Sequence, residues 1–270
     1  TQPVDAVITK GLMAHFYGGL AAHWLSIPCL WYMQEEVDKN RAAGLYRLMI
    51  TQGAKRIPSK VVVDAQALLD QFESLPNFNS LVSVVYNGIE TEQFKPFSTE
   101  QKRKARIEFG IREDAFVVGN ASRIIPLKGQ AILLDAFIQL VHQFPNLILL
   151  LVGAPLFGSE DYENTLRKRV VEAGLSSQVI FTGFLPDVRQ GLAAMDIFVQ
   201  ASIETDSPLS LMEAMSCGLP AVVSNVRGIV EMVKQGENAV IFEAGNPQAL
   251  ADSLSLLIKD KDLCTELGKK

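Results

Sequence analysis

The chain has 270 residues, a net charge of −5, 48% hydrophobic residues and 20% charged residues. That length can bury a core without staples, and this ordinary globular usage excludes a disordered tail, a collagen-like fibre and a disulfide scaffold. The acidic balance argues against nucleic acid as a partner, which needs a basic face, but leaves room for a phosphate site built from two or three local charges.

In chain order, short apolar runs alternate with helical stretches. The pattern predicts a strand over 4–8, a helix at about 15–26, a strand over 29–33 and a helix over 43–54. Residues 61–63 form the next strand and lead into a helix through Phe72. A strand over 81–86 stops at Asn87-Gly88, a turn dipeptide. The polar segment 90–100, with Pro96, reads as a linker. It divides the chain into domains over 1–92 and 93–270. A charged helix follows over 99–109. Strands are then expected over 116–120, 147–152, 179–182, 197–200, 221–224 and 239–242, with helices near 131–143, 162–173, 209–216 and 247–259. Unalternated apolar strands separated by helices indicate buried parallel strands. The predicted class is therefore α/β, with doubly wound parallel sheets in two units, the first short of strands.

Cys29, Cys217 and Cys264 are odd in number and widely spaced, without a C-x-x-C pair. They read as buried or idle thiols in a reducing compartment. No apolar run approaches the ~18 residues of a membrane helix, and no signal peptide is visible. The expected setting is cytoplasmic.

Ligands of such folds sit at the carboxyl ends of strands. The loop after strand 116–120 carries Arg123 and Lys128, two cations able to clamp a diphosphate or simply to be solvated. After strand 197–200, Asp206 or Ser207 suits an N-cap and Pro208 the first helical position. The free amides near Leu209 and Ser210 then form an anion site. Glu213 lies one turn in, where a carboxylate leaning towards the N-terminus reaches ligand hydroxyls.

Five pieces carry a family resemblance: Tyr86-Asn87-Gly88-Ile89-Glu90 with Phe94-Lys95-Pro96, Ser122-Arg123 with Lys128-Gly129, Leu151-Val152-Gly153, Phe181-Thr182-Gly183, and Glu213-Ala214-Met215-Ser216-Cys217-Gly218-Leu219-Pro220. In this order they resemble the retaining family 4 glycosyltransferases (glycosyl transferases group 1), whose GT-B fold sets two Rossmann-like domains across a cleft. The resemblance implies that 1–92 is an incomplete acceptor-side domain and 93–270 the donor-binding domain. It implies that Arg123 and Lys128 hold the donor diphosphate, that Glu213 holds the ribose hydroxyls as the second glutamate of E-x7-E, and that Leu209 and Ser210 bring backbone amides to the phosphate, with Pro208 beside them in the donor site. Gly153, Gly183, Phe184 and Leu185 then line the donor site, the last three beside the base.

The implied reaction is transfer from a nucleoside diphosphate sugar, most often a UDP-sugar, to a saccharide or lipid-linked hydroxyl. It proceeds with retention and without a required metal or other cofactor.

Three departures stand out. Thr205 replaces the first glutamate of E-x7-E, with Glu204 one residue early. Gln34 stands where a histidine lies beneath the donor sugar. The first strands and a C-terminal helix are missing, so the chain is expected to be a piece of a longer enzyme whose N-terminal segment could touch a membrane. His15 is a further candidate for the cleft or for packing; His23 and His142 read as structural. Asp260-Lys261-Asp262 imitates a metal-binding D-x-D but lies in a charged C-terminal segment. Two other readings stay open: a nucleotide-sugar binding module without transfer, and a GT-B UDP-sugar epimerase, which Gln34 and Thr205 weaken.

Overall fold

The computed structural model describes residues 3–34, 50, 52–73, 78–156, 158–204 and 208–270. The chain forms two compact units that divide between Asn87 and Gly88. Each holds its own parallel sheet.

In the first unit, β1 (Val7–Lys10), β2 (Cys29–Met33), β3 (Lys60–Val63) and β4 (Val82–Val84) lie side by side in chain order. Helix α1 (Leu12–Trp24) joins the first two strands. A 3-10 turn, Gln66–Gln71, stands where the sequence predicts a helix through Phe72. The core gathers around Trp31, Val61, Val63 and Phe72, all fully buried. Of the helix expected over 43–54, Ile50 and Gln52–Ala54 are helical, and the rest lies outside the described residues.

Strand β1 starts three residues later than its apolar run suggests, because the buried member of the strand is the polar Thr9 while Ile8 is 72% exposed. Met13, Tyr17, Leu20 and Trp24 recur at helical spacing on α1 and are exposed as well. With one edge strand and one helix face this open, the first unit should exchange its strand amides faster than the second. Hydrogen exchange read by mass spectrometry tests this, and equal protection in both sheets would refute it.

The second unit begins with α2 (Thr99–Glu108). A capping box starts it: Gln101 N donates to Ser98 Oγ at 3.2 Å and Ser98 N donates to Gln101 Oε1 at 2.8 Å. Its strands are β5 (Phe116–Ala121), β6 (Leu147–Val152), β7 (Val179–Gly183), β8 (Ile197–Gln200), β9 (Ala221–Ser224) and β10 (Val240–Phe242). Between and after them come α3 (Gln130–Leu140), α4 (Glu160–Glu172), α5 (Val188–Ala194), α6 (Leu209–Ser216), α7 (Pro247–Lys259) and α8 (Lys261–Leu267).

Alternate strand residues feed two separate cores. Leu147, Leu149 and Leu151 face α3, α4 and α7, while Ile148, Leu150 and Val152 face the core that holds α5 and α6. Helices on both faces are what makes the sheet doubly wound. The segment expected to be a linker is attached to this unit: Phe94 and Phe97 pack against its core, and Ser216 Oγ donates to Phe94 O at 2.5 Å.

Two helices of the second unit were not expected, and in the first unit a short helical turn, Phe78–Leu81, stands where the strand over 81–86 was expected to begin. Asp187 caps α5 through Arg189 N, and Asp260 caps α8 through Leu263 N. The first residue of the D-x-D imitation is thus a helix cap. Among the described residues no helix is long and apolar enough to cross a membrane.

The strand order is β10-β9-β8-β5-β6-β7, with every pair parallel. From β5 the chain winds outward through β6 and β7, then returns to β5's other side for β8, β9 and β10. The reversal falls between β5 and β8. Crevices at such a switch point, beyond the carboxyl ends of the strands, bind the ligands of open α/β sheets. The first unit's four described strands run in sequence and have no such reversal.

Candidate functional site

The loops after β5 and β8 flank the reversal, and they carry Arg123, Lys128 and the helix that bears Glu213. Arg123 is exposed, and its guanidinium makes no hydrogen bond or ion pair among the described residues. Lys128 closes a 3-10 turn, Pro126–Lys128, and is half-buried. The two cations thus leave one short loop at the sheet's ligand edge.

That loop is fixed by its neighbours on both sides. Gly129 has φ 71°, and a Cβ there would run into the Ala201 carbonyl oxygen at the end of β8. Gly153, at φ 133°, lies as tightly against the Ser122 carbonyl oxygen. Ile124 N donates to Ala154 O at 3.0 Å, and Ile203 N donates to Leu127 O at 3.1 Å. Gly153 N in turn donates to Gly183 O at 3.0 Å. The loops after β7, β6, β5 and β8 are therefore laced into one edge. Only glycine fits at two of the crossings, which is why Gly129 and Gly153 stand beside the charged residues.

Helix α6 starts on this edge. Pro208 is its N-cap, with ψ 117°, and not its first helical residue; the helix begins at Leu209 and has no side-chain cap. The two residues expected as caps, Asp206 and Ser207, lie outside the described residues, as does Thr205. The amides of Leu209 and Ser210 donate to no acceptor among the described residues, so the positive end of the helix is open to an anion. Glu213 is the fifth residue of the helix. It is half-buried and makes no hydrogen bond or ion pair among the described residues, and burial raises its carboxyl above the ordinary carboxylate value. A half-buried carboxylate without a partner is poised to accept from hydroxyls. Glu204, after β8, is exposed.

At the far side of the edge, Gly183 ends β7 with φ 71°, Phe184 is 75% exposed, and Leu185 packs against the core. An exposed ring behind a glycine turn offers a flat face to an aromatic ligand.

The two candidates of the first unit behave differently from each other. His15 is 2% exposed, stacked on Trp31 at 5.0 Å between ring centroids, with Nδ1 2.8 Å from Thr9 Oγ1. Burial holds its imidazole below the usual value. Gln34 follows β2 at the carboxyl edge and belongs to a polar cluster that sequence reasoning missed. Its Nε2 donates to Tyr32 Oη at 3.1 Å, Asp64 Oδ2 at 3.1 Å and Asn87 Oδ1 at 3.2 Å, and Asn87 Nδ2 donates to the same Asp64 oxygen at 2.8 Å. Asp64 is buried, and desolvation raises its carboxyl despite those donors. The signal available was an aspartate directly after an apolar strand, at the edge where ligands bind. Cys29 and Cys217 are buried free thiols, and burial pushes Cys217 up to about 11.

Comparison with known proteins shows the family and the fold. Residues 101–270 match the family model described as Glycosyl transferases group 1. The crystal structure of Anabaena HepE in complex with UDP and glucose superposes with a TM-score of 0.91 at 29% identity, covering 98% of this chain and 71% of that one. Among curated proteins, the putative glycosyltransferase EpsD of Bacillus subtilis is 28% identical over 68% of this chain and 47% of its own. A D-inositol 3-phosphate glycosyltransferase of Corynebacterium urealyticum is 25% identical over 92% of this chain and 63% of its own. This chain spans about half the length of the curated relatives it matches. With two parallel-sheet units of the GT-B type and a family match over well more than half of its residues, the chain belongs to the glycosyl transferases group 1 family.

Proposed function

We propose that this chain carries the donor site and part of the acceptor-side domain of a retaining glycosyltransferase. The donor is a UDP-sugar, and the acceptor is a hydroxyl of a saccharide or a lipid-linked sugar. The carrying observation is the convergence of Arg123, Lys128 and the open start of α6 on the switch point between β5 and β8. Two cations and a helix N-terminus favour a diphosphate, Glu213 offers a carboxylate to ribose hydroxyls, and Phe184 offers a face to the base. HepE, solved with UDP and with UDP-glucose, supports uridine as the base.

In this reading the bond from the anomeric carbon to the diphosphate oxygen breaks, the acceptor oxygen bonds to that carbon from the same side, and the acceptor's proton passes to the departing diphosphate. Arg123, Lys128 and the α6 amides stabilise the charge that grows on the leaving group, a preorganised electrostatic effect. A cytoplasmic setting, at the inner face of a membrane where a lipid-linked acceptor sits, belongs to the same proposal.

Titration calorimetry with UDP, GDP and ADP tests the donor site, followed by UDP-sugar transfer with the full-length protein. UDP is expected to bind tightest. Failure of all three to bind would overturn the reading, and tight binding without transfer would reduce it to a nucleotide-sugar binding module.

A further inference from the structure

We propose that Gln130 is the positioning residue for Arg123, and so sets the geometry of the diphosphate clamp; the proposal rests on the donor-site reading above. Gln130 is the first residue of α3 and is 1% exposed. Its Nε2 donates to Arg123 O at 2.8 Å and to Ser122 Oγ at 3.0 Å, while its Oε1 is buried without a partner. A buried orphan acceptor weakens a fold. Leucine or methionine would fill a similar volume without that cost, so stability alone does not explain an amide here. What the amide contributes is its pair of donors, and both end on the loop that carries Arg123.

The orientation of the amide follows from a chain of side chains. Asn120 Nδ2 donates to Val199 O at 2.8 Å, which leaves Asn120 Oδ1 as an acceptor. Ser122 Oγ donates its one proton there at 2.7 Å, so it accepts from Gln130. Nε2 therefore faces the loop and Oε1 faces away. The Arg123 carbonyl also accepts from Ile125 N at 3.1 Å. Two donors on one carbonyl fix the Arg123 peptide plane, and with it the direction in which the side chain leaves. The guanidinium has no partner of its own among the described residues. The backbone anchor, which ties β8, β5 and α3 together behind the loop, is therefore what sets where that side chain leaves the chain.

The test measures UDP and uridine affinity, with thermal unfolding, for Gln130→Leu, Arg123→Ala and the double variant of the full chain. Gln130→Leu is expected to weaken UDP about tenfold while uridine changes less than about twofold, since only the diphosphate meets Arg123. In the Arg123→Ala background the same change should have no further effect on UDP, because the two act through one group. Equal losses for both ligands, or full additivity in the double variant, would overturn the proposal and make Gln130 merely structural. If Arg123→Ala discriminates against UDP and Gln130→Leu does not, the positioning role fails and the donor site stands. If Arg123→Ala spares UDP, both fall. Should Gln130→Leu not fold, Ser122→Ala cuts the same chain one link earlier and is expected to give a smaller loss confined to UDP; no such loss would overturn the proposal.

Discussion

Arg123→Ala is expected to weaken UDP by roughly 10- to 100-fold, since a charge-assisted hydrogen bond contributes about 1.5–3 kcal/mol and each 1.4 kcal/mol is a factor of ten. Uridine, which lacks the diphosphate, should bind the variant as it binds the wild type. The reason is the state of the arginine before any ligand arrives. It is exposed and makes no ion pair among the described residues, so removing it breaks nothing in the protein. The thermal midpoint should accordingly stay within about 2 °C, the scale of a surface substitution. Arg106 is a useful contrast. It pairs with Asp196 at 2.7 Å and donates to the carbonyls of Ala115 and Ala194. Arg106→Ala should therefore lower stability while leaving the UDP-to-uridine ratio unchanged. Arg123→Lys, which keeps the charge and loses the planar fork, should fall between wild type and alanine. Parallel losses for UDP and uridine in Arg123→Ala would remove this residue from the diphosphate site.

Much of this site is legible in the sequence, because the loops after apolar strands are where such folds bind ligands and the charged residues stand out there. Residues 147–152 are uniformly apolar and become a central strand buried on both faces. Edge strands give a weaker signal. In β1 the one fully buried residue is Thr9, while the apolar Ile8 is exposed, so hydrophobicity alone misplaces the strand. Helix α5 is seven residues long and rich in small side chains, and Asp187 was the one mark of its start. Pro208 fits either the N-cap or the first helical position by type; its extended ψ makes it the cap. Gln130 was overlooked for a different reason. A glutamine at the start of an amphipathic helix reads as a surface residue, and its burial is set by Ser122 and Arg123, which the turn at Gly129 brings back against it. Tyr32 and Gln34 come from β2 and its end, Asp64 from the end of β3 and Asn87 from the stretch after β4, so their convergence requires the strand order.

Glu213→Gln is expected to make the protein more stable at neutral pH and a worse ligand for UDP, by roughly 10-fold or more on the scale of a hydrogen bond to a charged group. The folded carboxyl is raised by burial, above the ordinary value of 4.5 that it has in the unfolded chain. Between those two values the folded state holds more protons than the unfolded state. Stability therefore falls as pH rises through that window, and the penalty is complete above the folded value. Glutamine carries no charge to desolvate. Its stabilising effect should be absent near pH 4 and present at pH 7.5, which thermal melts at the two pH values can read. Ligand binding runs the other way. Ribose hydroxyls donate to an ionised carboxylate, so wild-type affinity for UDP should decline as pH drops through the raised value. The glutamine variant should show no such dependence from this group. Glu204 is exposed after β8, so Glu204→Gln should leave UDP binding unchanged and serves as the control. A Glu213→Gln protein that is less stable at neutral pH and binds UDP normally would mean that the carboxylate serves the fold. A group that is costly to keep charged, on the helix turn that faces the ligand edge, is instead what a binding residue looks like before its ligand arrives.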